Sequence, residues 1–400
     1  MNTVCALYVI AAVLISAALP SRVSGTGFPI ANDPGPEHSW AIAFDGTNFL
    51  VGVQPSTGGT GAKLVSPSGV VLATVVAPRT GDTPHIAFDG TNYLLVWADH
   101  TPPQPANGVP VYGQFVSTLG SLVGSPFLVS QSTTVVEVDG VAFDGTNYLV
   151  VWEDEDPSGR DILGRFVTTT GGAAGIDFEI SNGAGKEAAL AFGATRFMVV
   201  WQEEFANTAH ARFITPGGAL QSVFTVHVSS MPGDSDASGV AFDGTNFLVA
   251  WSNQVGDLPT WDVLGQFVSP AAALVGNPIP ITTATGTQVL PYIAFDGINY
   301  LVIWTDLAND ANGNFSCDSG EGTCIDLYGQ FLSASGSLVG TNFAVLVDPD
   351  NQAQSPVAYG GGKYLVAWNE RFGTSSADVF GTFIASQPNE LIFRNGFESP

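Results

Sequence analysis

The stretch Val141–Asp154 reads VAFDGTNYLVVWED, and close copies of it recur along the chain. Counting this stretch, the seven copies have cores that begin at Ala43, Ala87, Ala142, Ala191, Ala241, Ala294 and Ala358. We refer to them as repeats one to seven. Their spacing of about 50 residues is typical of solenoids, propellers and arrays of small domains.

The second half of the repeat predicts a buried β-strand. On an extended chain Tyr148, Val150 and Trp152 share one face, whereas Leu149 and Val151 share the other. Because both faces are apolar, we expect both to be covered. Residues 144–147, DGTN, favour a tight turn after a short preceding strand, since Gly tolerates positive φ and Asp and Asn bond local backbone groups.

Two more strands complete the repeat. Asp161–Val167 predicts the third strand, and Pro278–Ile281 is an example of a short fourth strand. Proline cannot donate to a ladder, so the fourth strand is expected at the outer edge. Four strands in each of seven repeats predict an all-β fold, a seven-bladed β-propeller of four-stranded antiparallel blades. An open β-solenoid is the alternative.

The chain is predicted to divide into a secretory signal peptide at residues 1–25, the propeller at residues 26–385 and a C-terminal tail at residues 386–400. The apolar run Ala6–Leu19 is short for a membrane span, and small residues follow it, as in a signal peptide. An uncleaved anchor is the alternative. We therefore expect an exported protein, secreted or at the cell surface, whose mature chain does not insert into a membrane.

Two segments compete to close the propeller. Phe28–Ala31 resembles a fourth strand but precedes the first repeat, so it is predicted to complete the last blade from the N-terminal end. Such closure removes open sheet edges. The competitor is Leu391–Phe393, near the C-terminal end. The protein is predicted to be a monomer.

Two cysteines remain once the predicted signal peptide is removed. Cys317 and Cys324 flank a short polar segment of repeat six, which predicts a local disulfide in an exported protein. A metal pair is the alternative, but no second pair of Cys or His side chains is nearby in the sequence to complete a tetrahedral site.

Charge excludes some classes of partner. The chain has 36 Asp and Glu against 11 Lys and Arg, a formal net charge of −25. This balance argues against nucleic acid and anionic membranes as partners, keeps the protein soluble and is compatible with binding a cation.

Charged residues are concentrated in segments that a propeller would gather on one face. These segments follow the tryptophan-bearing strand or enter the first strand of each repeat, and the face they form is the predicted binding site. The candidate residues are His38, Asp82, His85, Glu137, Asp139, Asp154, Lys186, Glu187, Glu204 and Tyr292. The repeated turn aspartates and the repeated tryptophans are instead predicted to be structural.

A calcium site is a further candidate. Asp306, Asp310, Asn312 and Asn314 lie in a segment rich in oxygen donors and glycine, as a hard cation requires. The spacing does not match an EF-hand loop. The sequence therefore predicts no cofactor firmly and leaves calcium as an alternative.

The sequence resembles secreted bacterial repeat proteins that carry F-D-G-x-x-Y-L-V-x-W followed by D-[IV]-Y-G-[QR]-[FR]-V. Phe143–Gly145, Tyr148–Trp152 and Asp161–Val167 carry the resemblance. The resemblance implies a propeller-type fold and export. It implies no common activity and no catalytic residue.

Motifs for catalysis are absent from the sequence, which has no G-x-S-x-G, H-E-x-x-H, P-loop or C-x-x-C pattern. We therefore expect a non-enzymatic binding or scaffold module that uses its acidic loop face, with an extracellular protein or a glycan as partner. The alternatives are a carboxylate-based hydrolase or lyase acting on an extracellular glycan, and a purely structural surface protein.

Overall fold

The computed structural model describes residues 27–32, 36–55, 59–101, 109–130, 132, 134–156, 159–181, 183–203, 208–228, 237–255, 260–307, 325–347, 351–353, 355–372 and 376–386. All regular structure in these residues is β-strand. No helix within them has the length and apolar character that a membrane span needs. The predicted signal peptide, Cys317, Cys324 and residues 387–400 of the predicted tail lie outside the described residues.

The strands follow in chain order: β1 (Phe28–Ala31), β2 (Glu37–Phe44), β3 (Phe49–Pro55), β4 (Gly59–Val65), β5 (Val71–Phe88), β6 (Asn92–Asp99), β7 (Val111–Ser117), β8 (Leu122–Leu128), β9 (Val135–Phe143), β10 (Asn147–Asp156), β11 (Gly159–Thr168), β12 (Ala173–Glu179), β13 (Gly185–Gly193), β14 (Arg196–Glu203), β15 (Thr208–Ile214), β16 (Phe224–Val228), β17 (Ala237–Phe242), β18 (Phe247–Val255), β19 (Thr260–Val268), β20 (Leu274–Pro280), β21 (Gln288–Phe295), β22 (Asn299–Asp306), β23 (Asp326–Ser333), β24 (Leu338–Leu346), β25 (Asn351–Ala353), β26 (Val357–Gly360), β27 (Lys363–Phe372) and β28 (Ser376–Ala385).

Repeat three shows the common plan of four antiparallel strands in the order β9, β10, β11 and β12. We call them the inner, tryptophan, third and outer strands. In the turn between the first two, Oδ1 of Asp144 accepts hydrogen bonds of 2.7 Å from the backbone N–H groups of Thr146 and Asn147. The same bonds form at the turn aspartates of repeats one, two, five and six, Asp45, Asp89, Asp243 and Asp296. The predicted turn role of these aspartates is confirmed.

The inner strands form a closed ring. Taken around it, β2, β5, β9, β13, β17, β21 and β26 each contact the next, and β26 contacts β2. Sheets of four antiparallel strands arranged around such a ring define a propeller arrangement, which confirms the predicted fold class at that level.

The number of separate blades differs from the prediction. Repeats three to seven lie in five separate sheets, whereas repeats one and two share one sheet of seven strands. The predicted seven separate blades are therefore not observed. The cause is β5, whose first half pairs with β4 as the outer strand of repeat one, while its second half pairs with β6 as the inner strand of repeat two.

Side-chain contacts hold β5 extended between its two halves. The Arg79 guanidinium bonds the buried Asp99 carboxylate, with 2.6 Å between Nη2 and Oδ2, and lies 4.0 Å above the Tyr112 ring centre. The backbone N–H of Thr80 donates to Oγ1 of Thr101 at 2.8 Å. These contacts fix the segment that contains Pro78, which the sequence alone would favour as a chain break.

The N-terminal strand completes the last sheet. β1 pairs antiparallel with β28, with Phe28 opposite Gly381. The Ile30 side chain is 3% exposed and belongs to a core cluster that includes Val51 of repeat one and Val379 of repeat seven. Closure by the N-terminal strand is confirmed. The competing segment, Leu391–Phe393, lies outside the described residues.

The core lies between neighbouring sheets. Trp152 packs with Leu94 and Val96 of the preceding repeat, while Leu149 and Val151 pack with Trp201 of the following one. Both faces of the tryptophan strand are thus buried, as its sequence predicts. The repeated tryptophans are all at most 1% exposed: Trp97, Trp152, Trp201, Trp251, Trp304 and Trp368.

Candidate functional site

Three carboxylates of repeat three meet at the ends of its first two strands. Glu137 and Asp139 lie on β9 and Glu153 lies on β10, and one oxygen of each lies within 4.8 Å of the others. Glu137 is directly opposite Glu153 in the ladder, and Asp139 is the extra residue of a β-bulge opposite Trp152. We call these three side chains the acidic cluster. It is the one group of three or more potential metal-ligating side chains within the described residues.

Backbone and side-chain donors hold two members of the acidic cluster. Glu153 accepts a hydrogen bond from the backbone N–H of Glu187 and one of 3.2 Å from Arg160. Oδ1 of Asp139 accepts one of 3.1 Å from the backbone N–H of Ala188. Among the described residues, the buried Oδ2 of Asp139 has no hydrogen-bond partner.

The electrostatics of the acidic cluster favour binding a proton or a cation. Burial raises the pKa of Glu153 to about 7, and the neighbouring Glu137 carboxylate adds to the increase. Burial also raises the pKa of Glu137 and raises that of Asp139 well above its usual value, with further contributions from nearby carboxylates. Three negative charges in a poorly solvated site repel one another unless positive charge enters.

The position of Glu153 also has a structural role in the ring. At equivalent positions, Asn369 accepts a 2.7 Å bond from the N–H of Ser39, and Ser252 accepts a 3.1 Å bond from that of Leu290. Glu153 makes the corresponding bond to the next inner strand. We call the place of the repeated tryptophan, which is Val53 in repeat one, the tryptophan position. The residue that follows it is neutral in every other repeat: Gln54, Ala98, Gln202, Ser252, Thr305 and Asn369. The structural role therefore does not require the charge of Glu153.

Four predicted site residues occupy equivalent positions in repeats one to four. Each lies opposite the residue that follows the tryptophan position; they are His38, Asp82, Glu137 and Lys186. Asp82 is bonded to His100, with 2.9 Å between Oδ2 and Nε2. The Lys186 ammonium lies 3.7 Å from the carboxylate of Glu187, which is itself a predicted site residue.

His85 and Tyr292 are equivalent residues in repeats two and six, and each lies opposite the residue that precedes the tryptophan. Burial raises the pKa of Tyr292 to about 12, and the charge of Glu137 adds to the increase, so these two residues are within electrostatic reach. Burial lowers the pKa of His85 to about 4. Asp154 lies apart from the acidic cluster and accepts hydrogen bonds from Ser132 and Thr134.

The predicted calcium segment is described only at its first residue. Asp306 is 7% exposed and lies opposite Gln288 and Asp326. The other candidates, Asp310, Asn312 and Asn314, lie outside the described residues, as do Glu204, Cys317 and Cys324, so the calcium segment and the disulfide remain predictions.

The set of candidate residues chosen from the sequence omitted Glu153 and Arg160. A signal for Glu153 was present in the sequence, because it is the single charged residue that directly follows a tryptophan position.

Comparisons with known proteins support the fold and no more. No family model and no curated protein matches the sequence. The hydrazine synthase structure from Kuenenia stuttgartiensis is 14% identical, with a TM-score of 0.56, over 91% of this chain and 99% of that one. The acylaminoacyl peptidase structure from Pyrococcus horikoshii is 10% identical, with a TM-score of 0.51, over 90% of this chain and 53% of that one. By fold, this protein is a β-propeller.

Proposed function

We propose that this protein is an exported, non-enzymatic binding module that holds a divalent cation at the acidic cluster. The observation that carries the proposal is the approach of the Glu137, Asp139 and Glu153 oxygens to within 4.8 Å of one another. Carboxylate oxygens are the ligands that hard cations such as calcium prefer. The neutral residues at the equivalent positions of the other repeats indicate that the negative charge of Glu153 serves something other than the fold.

A cation at this site would connect the acidic face to an extracellular partner. Calcium takes about six to eight oxygen ligands, and three carboxylates supply only part of that set. Waters or oxygens of a glycan or an acidic protein segment would complete it. Arg160, which bonds Glu153, limits the net negative charge of the acidic cluster and so disfavours a large cationic ligand.

A carboxylate-based hydrolase or lyase is the second candidate. The raised pKa of Glu153, about 7, suits a general acid. Glycoside hydrolysis, however, needs carboxyl groups about 5–10 Å apart on either side of the scissile bond. The acidic cluster comes from one repeat and brings one oxygen of each carboxylate to within 4.8 Å of the others, which suits a shared cation better than two groups on either side of a bond, so binding is the better-supported function.

We further propose a ring of seven blade positions, with the seven-stranded sheet filling two of them. The closed cycle of seven inner strands supports this count.

The proposal of export rests on the sequence of residues 1–25, and the proposal of a monomer rests on the closed ring.

The test is isothermal titration of the mature chain, stripped with a chelator, with CaCl₂, MgCl₂ and MnCl₂. We expect saturable binding of at least one ion to the wild type. Asp139→Asn, which keeps the shape of the side chain, should weaken binding at least tenfold. The matched control is Glu179→Gln, which removes one charge from an exposed side chain on the outer strand of the same repeat and should change affinity less than twofold.

Absence of cation binding by the wild type would refute the proposal and leave proton sharing as the role of the acidic cluster. Equal losses in both variants would show that general charge, not the acidic cluster, attracts the ion. Hydrolysis of a polysaccharide that Glu153→Gln abolishes would establish the second candidate.

A further inference from the structure

Glu187 of repeat four is anchored beside the acidic cluster by its own backbone. Its N–H group donates to the Glu153 carboxylate, and the N–H group of the next residue, Ala188, donates to Oδ1 of Asp139 at 3.1 Å. Both donors lie on β13, whereas the members of the acidic cluster lie on β9 and β10. The acidic cluster therefore sits at the junction of repeats three and four, and Glu187 brings a carboxylate of repeat four to this junction.

The backbone conformation that places Glu187 there is a feature of the fold. Glu187 is the first of two residues that lie opposite Trp201 in a β-bulge, and its φ is 52°. Such a left-handed φ is uncommon for a residue other than glycine. Thr83 and Leu290 occupy the equivalent positions of repeats two and six, with φ values of 47° and 55°. The bulge therefore forms without an acidic side chain, and the carboxylate of Glu187 is not needed for it.

The negative charge of Glu187 acts on all three members of the acidic cluster. Burial is the main cause of the raised pKa of Glu137, and the charge of Glu187 is the next. The same charge contributes, after burial, to the raised pKa values of Asp139 and Glu153. Like charges have such effects when they are close together and poorly solvated. Glu187 is thus a fourth carboxylate within electrostatic reach of the acidic cluster.

The Glu187 side chain can reach the acidic cluster by rotation about its own bonds. Its carboxylate is 41% exposed and lies 3.7 Å from the Lys186 ammonium, which is too long for a hydrogen bond. Ion pairs at the surface contribute little to stability, so this contact can be exchanged for a stronger one. Because the N–H group of Glu187 stays bonded to Glu153, the carboxylate can change partner without a movement of β13.

We propose that Glu187 is a fourth carboxylate ligand of the cation, so that the ion bridges repeats three and four. This inference rests on the proposed function, because it assigns a further ligand to the same site. The acidic cluster supplies only part of the oxygen ligands of calcium, and the Glu187 carboxylate would close the site from the side of repeat four. Four carboxylates also favour calcium over magnesium, because magnesium usually binds through one or two carboxylates and keeps several of its waters.

Calorimetric titration of the chelator-stripped mature protein with CaCl₂ measures what Glu187 contributes to affinity. Glu187→Gln keeps the size of the side chain and should weaken calcium binding about tenfold or more, because affinity depends on the number of charged ligands. The matched control is Glu179→Gln, which removes an exposed carboxylate from the outer strand of repeat three and should change affinity less than twofold.

Terbium luminescence distinguishes a direct ligand from a charge that acts through space. Tb³⁺ substitutes for calcium at oxygen sites, and its luminescence lifetimes in H₂O and D₂O report the number of waters bound to the ion. Glu187→Leu removes the ligand atoms and should add at least one bound water, whereas Glu179→Gln should add none. Leu290 shows that this left-handed backbone accepts a leucine, so the variant should fold.

The inference requires both effects, a loss of affinity in Glu187→Gln and an additional bound water in Glu187→Leu. A loss of affinity without an additional water would overturn it and show that Glu187 acts only through its charge. Unchanged calcium binding by Glu187→Gln, with weakened binding by Asp139→Asn, would overturn it and leave the proposed function standing. No calcium binding by the wild type would also overturn it, and the titrations with MgCl₂ and MnCl₂ would then decide the proposed function separately.

Discussion

At the scale of single residues, Asp139 is the member of the acidic cluster whose bonding is least complete. Its Oδ1 has a backbone donor, whereas its Oδ2 is buried beside two other carboxylates without a hydrogen-bond partner in the described residues. An asparagine would keep the first bond and place an N–H₂ group where the second oxygen stands. We therefore expect Asp139→Asn to raise the thermal midpoint of the cation-free protein by several degrees.

Thermal unfolding in a chelator at pH 7.5 is the measurement, and Glu179→Gln is again the control for loss of one charge. In excess calcium the wild type should instead have the higher thermal midpoint, because calcium would stabilise the wild type and not the Asp139→Asn variant. A lower midpoint for Asp139→Asn in the chelator would show that repulsion among the three carboxylates does not destabilise the cation-free protein.

The burial of His85 predicts that the protein loses stability as the pH falls. Burial holds its pKa near 4 in the folded protein, below the ordinary value of 6.5, so the unfolded chain takes up a proton first as the pH falls. Stability from this residue is complete above pH 6.5 and is lost as the pH falls toward 4. Relative to His85→Gln, the wild type should lose about 1–2 kcal/mol of unfolding free energy between pH 7 and pH 5.

Urea denaturation of both proteins at several pH values measures this difference. The carboxylates of the protein titrate in both proteins, so their effects largely cancel in the comparison. Parallel pH profiles would show that folding does not lower the pKa of His85.

At the scale of structural elements, two inner-strand turns depend on glycine for a packing reason. Gly193 and Gly360 stand where the other repeats have the turn aspartate. A Cβ atom at Gly193 would lie 2.2 Å from the Phe242 ring of the next repeat, and one at Gly360 would lie 2.2 Å from the Phe44 ring. These glycines allow the turns of repeats four and seven to contact the following repeat closely.

We expect Gly193→Ala to destabilise the protein by about 1–3 kcal/mol, because the added methyl group must displace a packed phenylalanine ring. Chemical denaturation is the measurement. Gly217→Ala is the control, because a Cβ atom there would be 3.8 Å from its nearest neighbour, and its effect should stay within about 0.5 kcal/mol. Equal effects of the two substitutions would contradict the packing argument.

The sequence predicted these elements well where the information is local. The alternation around Trp152 and the turn at Asp144 depend on neighbouring residues, and both predictions agree with the structure. The bulge at Asp139 was not predictable in the same way, because it depends on how β9 fits between two other inner strands. For that reason Glu137 and Asp139 were candidates, but their contact with Glu153 was not foreseen.

At the scale of the whole molecule, the continuity of β5 is also a feature that local sequence patterns could not predict. Pro78 and Gly81 favour a break between repeats one and two. The ion pair of Arg79 with Asp99 instead keeps the segment extended, and this contact joins residues of different strands that no local pattern relates. Fold class and closure could be predicted, but the merging of two repeats into one sheet could not.

Closure by β1 makes the last sheet dependent on the first strand. A chain that starts at residue 33 should lose the pairing of β1 with β28, expose an open edge and unfold at a lower temperature than a chain that starts at residue 26. Thermal unfolding and light scattering measure the two effects, stability and self-association. Identical behaviour of the two chains would show that β1 is dispensable.

The pairing of β1 with β28 also fixes an order of events in time. β28 is the last strand of the ring and follows β1 in the chain by all the other strands, so a polypeptide that emerges amino terminus first carries β1 unpaired until β28 has emerged. Pairings between distant segments are slow to form and leave strand edges exposed in the meantime. The pairing of β1 with β28, which closes the ring, therefore comes late in folding. Any factor that shields β1 during that interval would govern the yield of folded protein.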